Sequence, residues 1–183
     1  MKKEFSEIYS KMLKDIAVEL SDEFDKNFER KAFFGNSWEK RKREGKGSTL
    51  MVTGKLRRSI AHNLSGSSVR WTSSEDYAKI HNEGGSIIVT SKMKGYFWRK
   101  YYEASGRITY SRSGKSSKRN AKLSKDAEFY KAMALMKVGS AIRIPKRQFI
   151  GNSLEVSKAV EKVANHHLKG IEQLVKDKLK QKK

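Results

Sequence analysis

The sequence predicts an α+β fold: long amphipathic helices at the N- and C-termini packed on a small antiparallel β-sheet, with a basic inserted arm. Three observations carry this. Apolar residues recur at three- and four-residue intervals at both ends of the chain. The middle holds short runs of β-branched or alternating residues bounded by Gly, Ser or Asn, and the single proline ends one of them. A small sheet covered by two helices buries both apolar stripes.

Taken in order, Phe5, Ile8, Tyr9, Met12, Leu13, Ile16, Leu20, Phe24 and Phe28 predict a helix from about residue 3 to about residue 30. Strands are expected over 56–64, 68–73, 86–93 and 139–144. Ala141-Ile142-Arg143-Ile144-Pro145 is the clearest, since apolar residues alternate there with the charged Arg143. Asp76 to His81 reads as a helical turn closed by Gly84-Gly85. Residues 95–125 carry nine Lys/Arg and one Glu, with Tyr96, Phe97, Trp98, Tyr101, Tyr102 and Tyr110 among Ser and Gly. A short helical pattern follows through Phe129, Ala132, Met133 and Met136. The expectation is one domain over 1–183, with 95–138 a basic, partly mobile insertion and 178–183 a basic tail. The last helix is marked by Val160, Val163, Ala164, His167, Leu168, Ile171, Leu174, Val175 and Leu179, with Asn152 or Ser153 as its N-cap.

Charge is the strongest compositional signal. The chain of 183 residues has 41 Lys+Arg against 20 Asp+Glu, a formal charge of +21. An excess of that size on one domain implies a polyanionic or strongly negative neighbour. It falls in three segments. The first holds Lys40, Arg41, Lys42 and Arg43, followed by Arg57 and Arg58. The arm holds Arg99, Arg107, Arg112, Lys118 and Arg119, and the C-terminal tail is the third. These residues are candidates to face DNA or a protein partner. Aromatics interleaved with Arg suit stacking on bases, and the same residue types are enriched at protein interfaces.

Other classes are disfavoured. No cysteine is present, which removes thiol chemistry, disulfides and cysteine-bound zinc. No apolar run approaches the roughly 20 residues needed to cross a bilayer, and Met1-Lys2-Lys3 leads into an amphipathic segment, so neither a membrane span nor a secretion signal is expected. His81-Asn82-Glu83 invites comparison with His-Asn-His nucleases, but no second His or carboxylate follows at ligand spacing. Ser153 lies outside a nucleophile elbow, and Gly114-Lys115-Ser116 lacks the rest of a phosphate loop. The expectation is a protein without catalytic residues, metal or cofactor.

Three blocks then occur in a telling order. The first runs from Phe28 through Trp38 to Leu50-Met51-Val52-Thr53-Gly54-Lys55-Leu56-Arg57-Arg58-Ser59-Ile60. The second is Asp76-Tyr77-Ala78-Lys79-Ile80-His81-Asn82-Glu83-Gly84-Gly85, and the third is Ile144-Pro145-Lys146-Arg147-Gln148-Phe149-Ile150-Gly151. Together they resemble the phage virion morphogenesis family, the tail-completion and neck proteins of tailed phages and prophages, over roughly residues 25–94 and 139–175. The resemblance implies that Thr53, Gly54, Leu56, Tyr77, Gly84, Gly85, Pro145, Arg147 and Phe149 are fold determinants. Gly54, Gly84 and Gly85 suit tight reversals, and Tyr77 is expected to pack its ring beneath the sheet with its hydroxyl in water. The chain departs from the family pattern at Gln148, where proline is usual, and in the 95–138 segment, which replaces a shorter hairpin.

The resemblance also implies a structural subunit of a ring, often sixfold, at the head–tail junction. Its expected partners are other copies of itself and neck, portal or tail-tube proteins, with possible non-specific contact with DNA and no membrane. Its expected place is the virion, after assembly in the host bacterial cytoplasm. The alternative is a free basic nucleic-acid-binding protein using its Lys/Arg clusters and arm aromatics.

Overall fold

The computed structural model describes residues 2–41, 48–109 and 118–180. In chain order the elements are α1 (Lys2–Arg30), β1 (Ala32–Phe33), β2 (Asn36–Ser37), α2 (Lys55–Arg58), β3 (Ile60–Ser65), β4 (Ser68–Ser73), α3 (Ala78–Glu83), β5 (Gly85–Ile88), α4 (Ser91–Ser105), α5 (Lys118–Leu135), β6 (Ala141–Ile144) and α6 (Leu154–Lys180). The fold is α+β. Its strands form three separate antiparallel ladders of two, β1–β2, β3–β4 and β5–β6, instead of one sheet. Contacts divide the chain into two units. One comprises the described residues up to Gly84 with those from Pro145 onward, and the other spans Gly85–Ile144.

In the first unit α1 and α6 lie antiparallel. Glu4 pairs with Lys178 at 2.5 Å, Asp15 with His167 at 2.8 Å and Glu19 with Lys162 at 3.7 Å, so numbers rise on one helix as they fall on the other. Their apolar stripes meet in a core of Ile16, Leu20, Phe24, Phe33 and Val156, with Val160, Val163 and Trp71 against it. Burying each large side chain contributes about 1.5–3 kcal/mol. Trp71 crosses Phe24 edge-on at 5.3 Å and donates its indole N–H to Ser21 Oγ at 2.9 Å. That contact seats β4 on α1, and the half-buried Val69, Trp71 and Ser73 alternate with exposed neighbours as a one-sided strand requires. Ser153 caps α6, its Oγ accepting from the Val156 N–H at 3.3 Å.

Two strand boundaries differ from the sequence reading, and each has a local cause. β3 begins only at Ile60, because Lys55–Arg58 form a turn of helix reached through Gly54 at φ 68°. β5 ends at Ile88, because the Thr90 hydroxyl accepts from the Met93 N–H at 3.2 Å and starts α4.

In the second unit β5 and β6 pair from Gly85↔Ile144 to Ile88↔Ala141, so the chain enters and leaves side by side. The unit is otherwise a helical hairpin. Residues 95–125, read as a basic arm, include α4 from Gly95 onward and the start of α5. Ala104, Ala127 and Ala134 are buried in it, and Asn120 hydrogen-bonds the backbone of Thr109. Trp98 stacks on Tyr102 at 6.1 Å, leaving Tyr102 64% exposed.

Candidate functional site

Three of the family-motif positions, Leu56, Arg147 and Phe149, meet in the first unit around residues 147–150, where the chain passes from β6 toward α6. The Phe149 ring is fully buried and lies 5.1 Å from Phe28, which in turn meets Trp38 edge-on at 5.8 Å. Leu56 and Ala78 complete that cluster. Around it, the polar groups of the segment find partners. Asn27, itself fully buried, donates to the Phe149 carbonyl at 3.2 Å and accepts from the Phe34 N–H at 2.9 Å. Asn82 Oδ1 accepts from the N–H groups of Phe149 and Ile150 at 2.9 and 3.1 Å. Trp38 donates its indole N–H to the Gln148 carbonyl at 2.6 Å. The Arg147 N–H donates to the His81 carbonyl at 2.8 Å, and its Nε to the Glu39 carbonyl at 3.0 Å. Buried polar groups left unpaired are costly, so α1, α3 and the stretch after β2 are locked onto one segment.

The glycine and threonine positions have equally local reasons. Thr53 Oγ1 accepts from the Lys55 N–H at 3.3 Å, and Gly54 supplies the left-handed turn into α2. A Cβ on Gly84, at φ 77°, would lie 2.9 Å from the Lys146 backbone nitrogen. Pro145 ends β6. Tyr77 differs from expectation. Its ring is 41% exposed and meets His81 edge-on at 6.0 Å, because α3 turns it outward instead of under a sheet.

Electrostatics follow the same division. Burial and the nearby Arg147 hold the half-buried His81 below the ordinary histidine pKa, and burial lowers Arg147 as well. Lys178 holds the Glu4 carboxyl down at about 2. Arg57, a candidate partner-facing residue, binds Asp25 and Glu29 on α1 and is raised above the usual arginine range by them. It ties α2 to α1. Arg58 donates to the Thr53 carbonyl at 2.9 Å, and Lys55 pairs with Glu75 at 3.0 Å. Lys40 and Arg41 are exposed, while Lys42, Arg43 and Arg112 lie outside the described residues.

Other candidates lie in the second unit. Arg99 is exposed on α4, over the Tyr96 ring at 5.6 Å and 4.0 Å from Glu103. Arg107 is exposed just beyond that helix, and Lys118 and Arg119 are exposed where α5 begins. Asn27 and Asn82 hold residues 149 and 150; the sequence gives no role to Asn27, and Asn82 stands in the second motif block without one. Asn27 sits at a core-facing position of the first stripe, four residues after Glu23 and one before Phe28, and that placement of an amide was the available signal.

Catalytic geometry is sparse. Among the described residues no three His, Asp or Glu side chains gather as metal ligands. A groove along α1 and α6 is lined by His166 and His167, but His167 Nε2 is committed to Asp15. No helix among the described residues is long and apolar enough to cross a membrane.

The model of the phage virion morphogenesis family matches residues 3–169, a span that takes in α1 from residue 3, the helical hairpin, the 147–150 junction and α6 as far as residue 169. No curated protein and no solved structure matches the chain. With that match over most of its length, the chain belongs to the phage virion morphogenesis family, whose role is structural and lies in assembling the phage particle.

Proposed function

We propose that the chain is a tail-completion or neck subunit that forms a ring at the head–tail junction of a tailed phage or prophage. Family membership supports the assembly role. The ring is supported by the state of the β5–β6 ladder. All four residues of β5 are exposed, Ile87 and Ile88 among them, and among the described residues the ladder has two strands. A two-stranded ladder is marginal in water, and an unpaired edge carrying β-branched residues is a template for another chain. Head-to-tail contacts of that kind close into a ring when the rotation between copies closes. In this reading the partners are other copies, often six, with neck, portal or tail-tube proteins above and below. The subunit resides in the virion after assembly in the host bacterial cytoplasm.

Removing the protein from an infected cell should leave filled heads and finished tails that do not join, visible by electron microscopy. Infectious, joined particles formed without it would overturn the reading.

A further inference from the structure

We propose that the helical hairpin of the second unit is a docking element for the phosphate backbone of double-stranded DNA, binding without regard to sequence. Residues 85–144 hold fourteen Lys/Arg against three Asp/Glu. On α5, Lys118, Lys122 and Lys125 fall at i, i+4 and i+7 and are all exposed, so they line one face. On α4 the exposed Arg99 shares its face with Lys92 and with Tyr96, whose hydroxyl is a further phosphate donor. Glu103, the only carboxylate on α4, is taken by Lys100 at 2.7 Å. In the first turn of α4 the charge gives the helix no local benefit. Lys92 and Lys94 stand in the first turn of α4, where no acidic residue is present and the helix dipole disfavours cations.

On α1 little acidic surface is left to receive this charge from a neighbouring copy. Of the eight carboxylates on α1, seven are engaged within the chain, by Lys178, His167, Lys162, Lys26, Arg30 and Arg57. With fourteen cations against three carboxylates, the hairpin calls for a polyanionic counter-surface. A protein interface concentrates affinity in a charge-depleted, desolvated centre, whereas these cations are dispersed and wet. Dispersed cations suit phosphate neutralisation with counterion release. The choice of DNA over an acidic protein rests on the virion reading above.

The test titrates full-length protein into a labelled 30-base-pair duplex between 50 and 200 mM salt, following anisotropy. Three variants are compared. One carries Arg99, Lys118, Lys122 and Lys125→Gln. A control carries the exposed first-unit residues Lys11, Lys158, Lys169 and Lys176→Gln. A charge-preserving set carries Lys118, Lys122 and Lys125→Arg. Loss of four phosphate contacts should shrink the salt-induced fall in affinity by on the order of 100-fold in the hairpin variant. The control should change far less, and the arginine set should bind like the parent. Equal loss in the control, or no loss in the hairpin variant with its helicity intact by circular dichroism, would overturn the proposal. So would polyglutamate of matched charge displacing the duplex as well as unlabelled DNA does, since that assigns the hairpin to an acidic protein. Light scattering on the same samples separates the two readings. A monomer that keeps the hairpin-dependent slope sinks the ring and supports the DNA contact. A ring without that slope sinks the DNA contact alone.

Discussion

Arg147 and Arg99 sit in segments of similar composition, one two residues before Phe149 and the other next to Trp98, yet their side chains have opposite fates. Arg147 is buried, with its Nε on a backbone carbonyl, and its neighbour Phe149 is sealed against Phe28. Arg99 is exposed over a tyrosine ring, and Trp98 is covered on one side by Tyr102, which is itself mostly in solvent. The junction at 147–150 uses cations, aromatics and amides to fix the chain. The hairpin displays the same residue types outward. In one molecule, composition alone does not separate structure from recognition; the partners of each polar group do.

Mutations should sharpen that contrast. Phe149→Ala is expected to cost about 3–5 kcal/mol in chemical denaturation, the range for a fully buried aromatic ring. Tyr102→Ala in the hairpin should stay within about 0.5 kcal/mol of the parent, because its ring is largely wet. If the two losses were alike, the hairpin would be as much a core as the junction. Asn82→Ala comes next, at about 2–3 kcal/mol, since it strands the N–H groups of Phe149 and Ile150. Arg57→Ala should cost about 1 kcal/mol by releasing Asp25 and Glu29 at a half-exposed site, whereas Arg99→Ala should leave stability unchanged and weaken DNA binding.

The smallest effect is one of pH. His81 is held neutral in the fold, its pKa lowered by burial and Arg147 from an unfolded value near 6.5. The unfolded chain therefore takes up a proton first as pH falls. The His81 contribution is intact above about pH 6.5 and is lost as pH drops toward the lowered folded value. His81→Gln should flatten the stability profile in that window. A profile of unchanged slope would show that His81 does not titrate with unfolding.

Both terminal helices were legible because their stripes are long and strongly periodic, and Ser153 announced its own helix. The 68–73 strand was legible because alternation and turn residues agree. Helix α4 was hidden by the Gly, Lys and aromatic content of its segment. Its inward positions Met93, Phe97, Tyr101 and Ala104 do follow helical spacing. The motif blocks point to the junction through Phe149 and Arg147; of its amides they contain Asn82 but not Asn27, and they give Asn82 no role. Asn27 and Asn82 act across 122 and 67 residues of sequence, and no local pattern encodes such pairings. For the same reason the sequence places Arg57 among the partner-facing candidates, whereas Asp25 and Glu29 of α1 engage it.

Amide hydrogen exchange on the full-length protein, with and without duplex DNA, tests the contrast most directly. The account predicts slow exchange at Phe149 and Ile150 in both states, with new protection on DNA binding confined to 91–105 and 118–135. Fast exchange at Phe149 and Ile150, or protection appearing on α1 and α6 while the hairpin is unchanged, would contradict it.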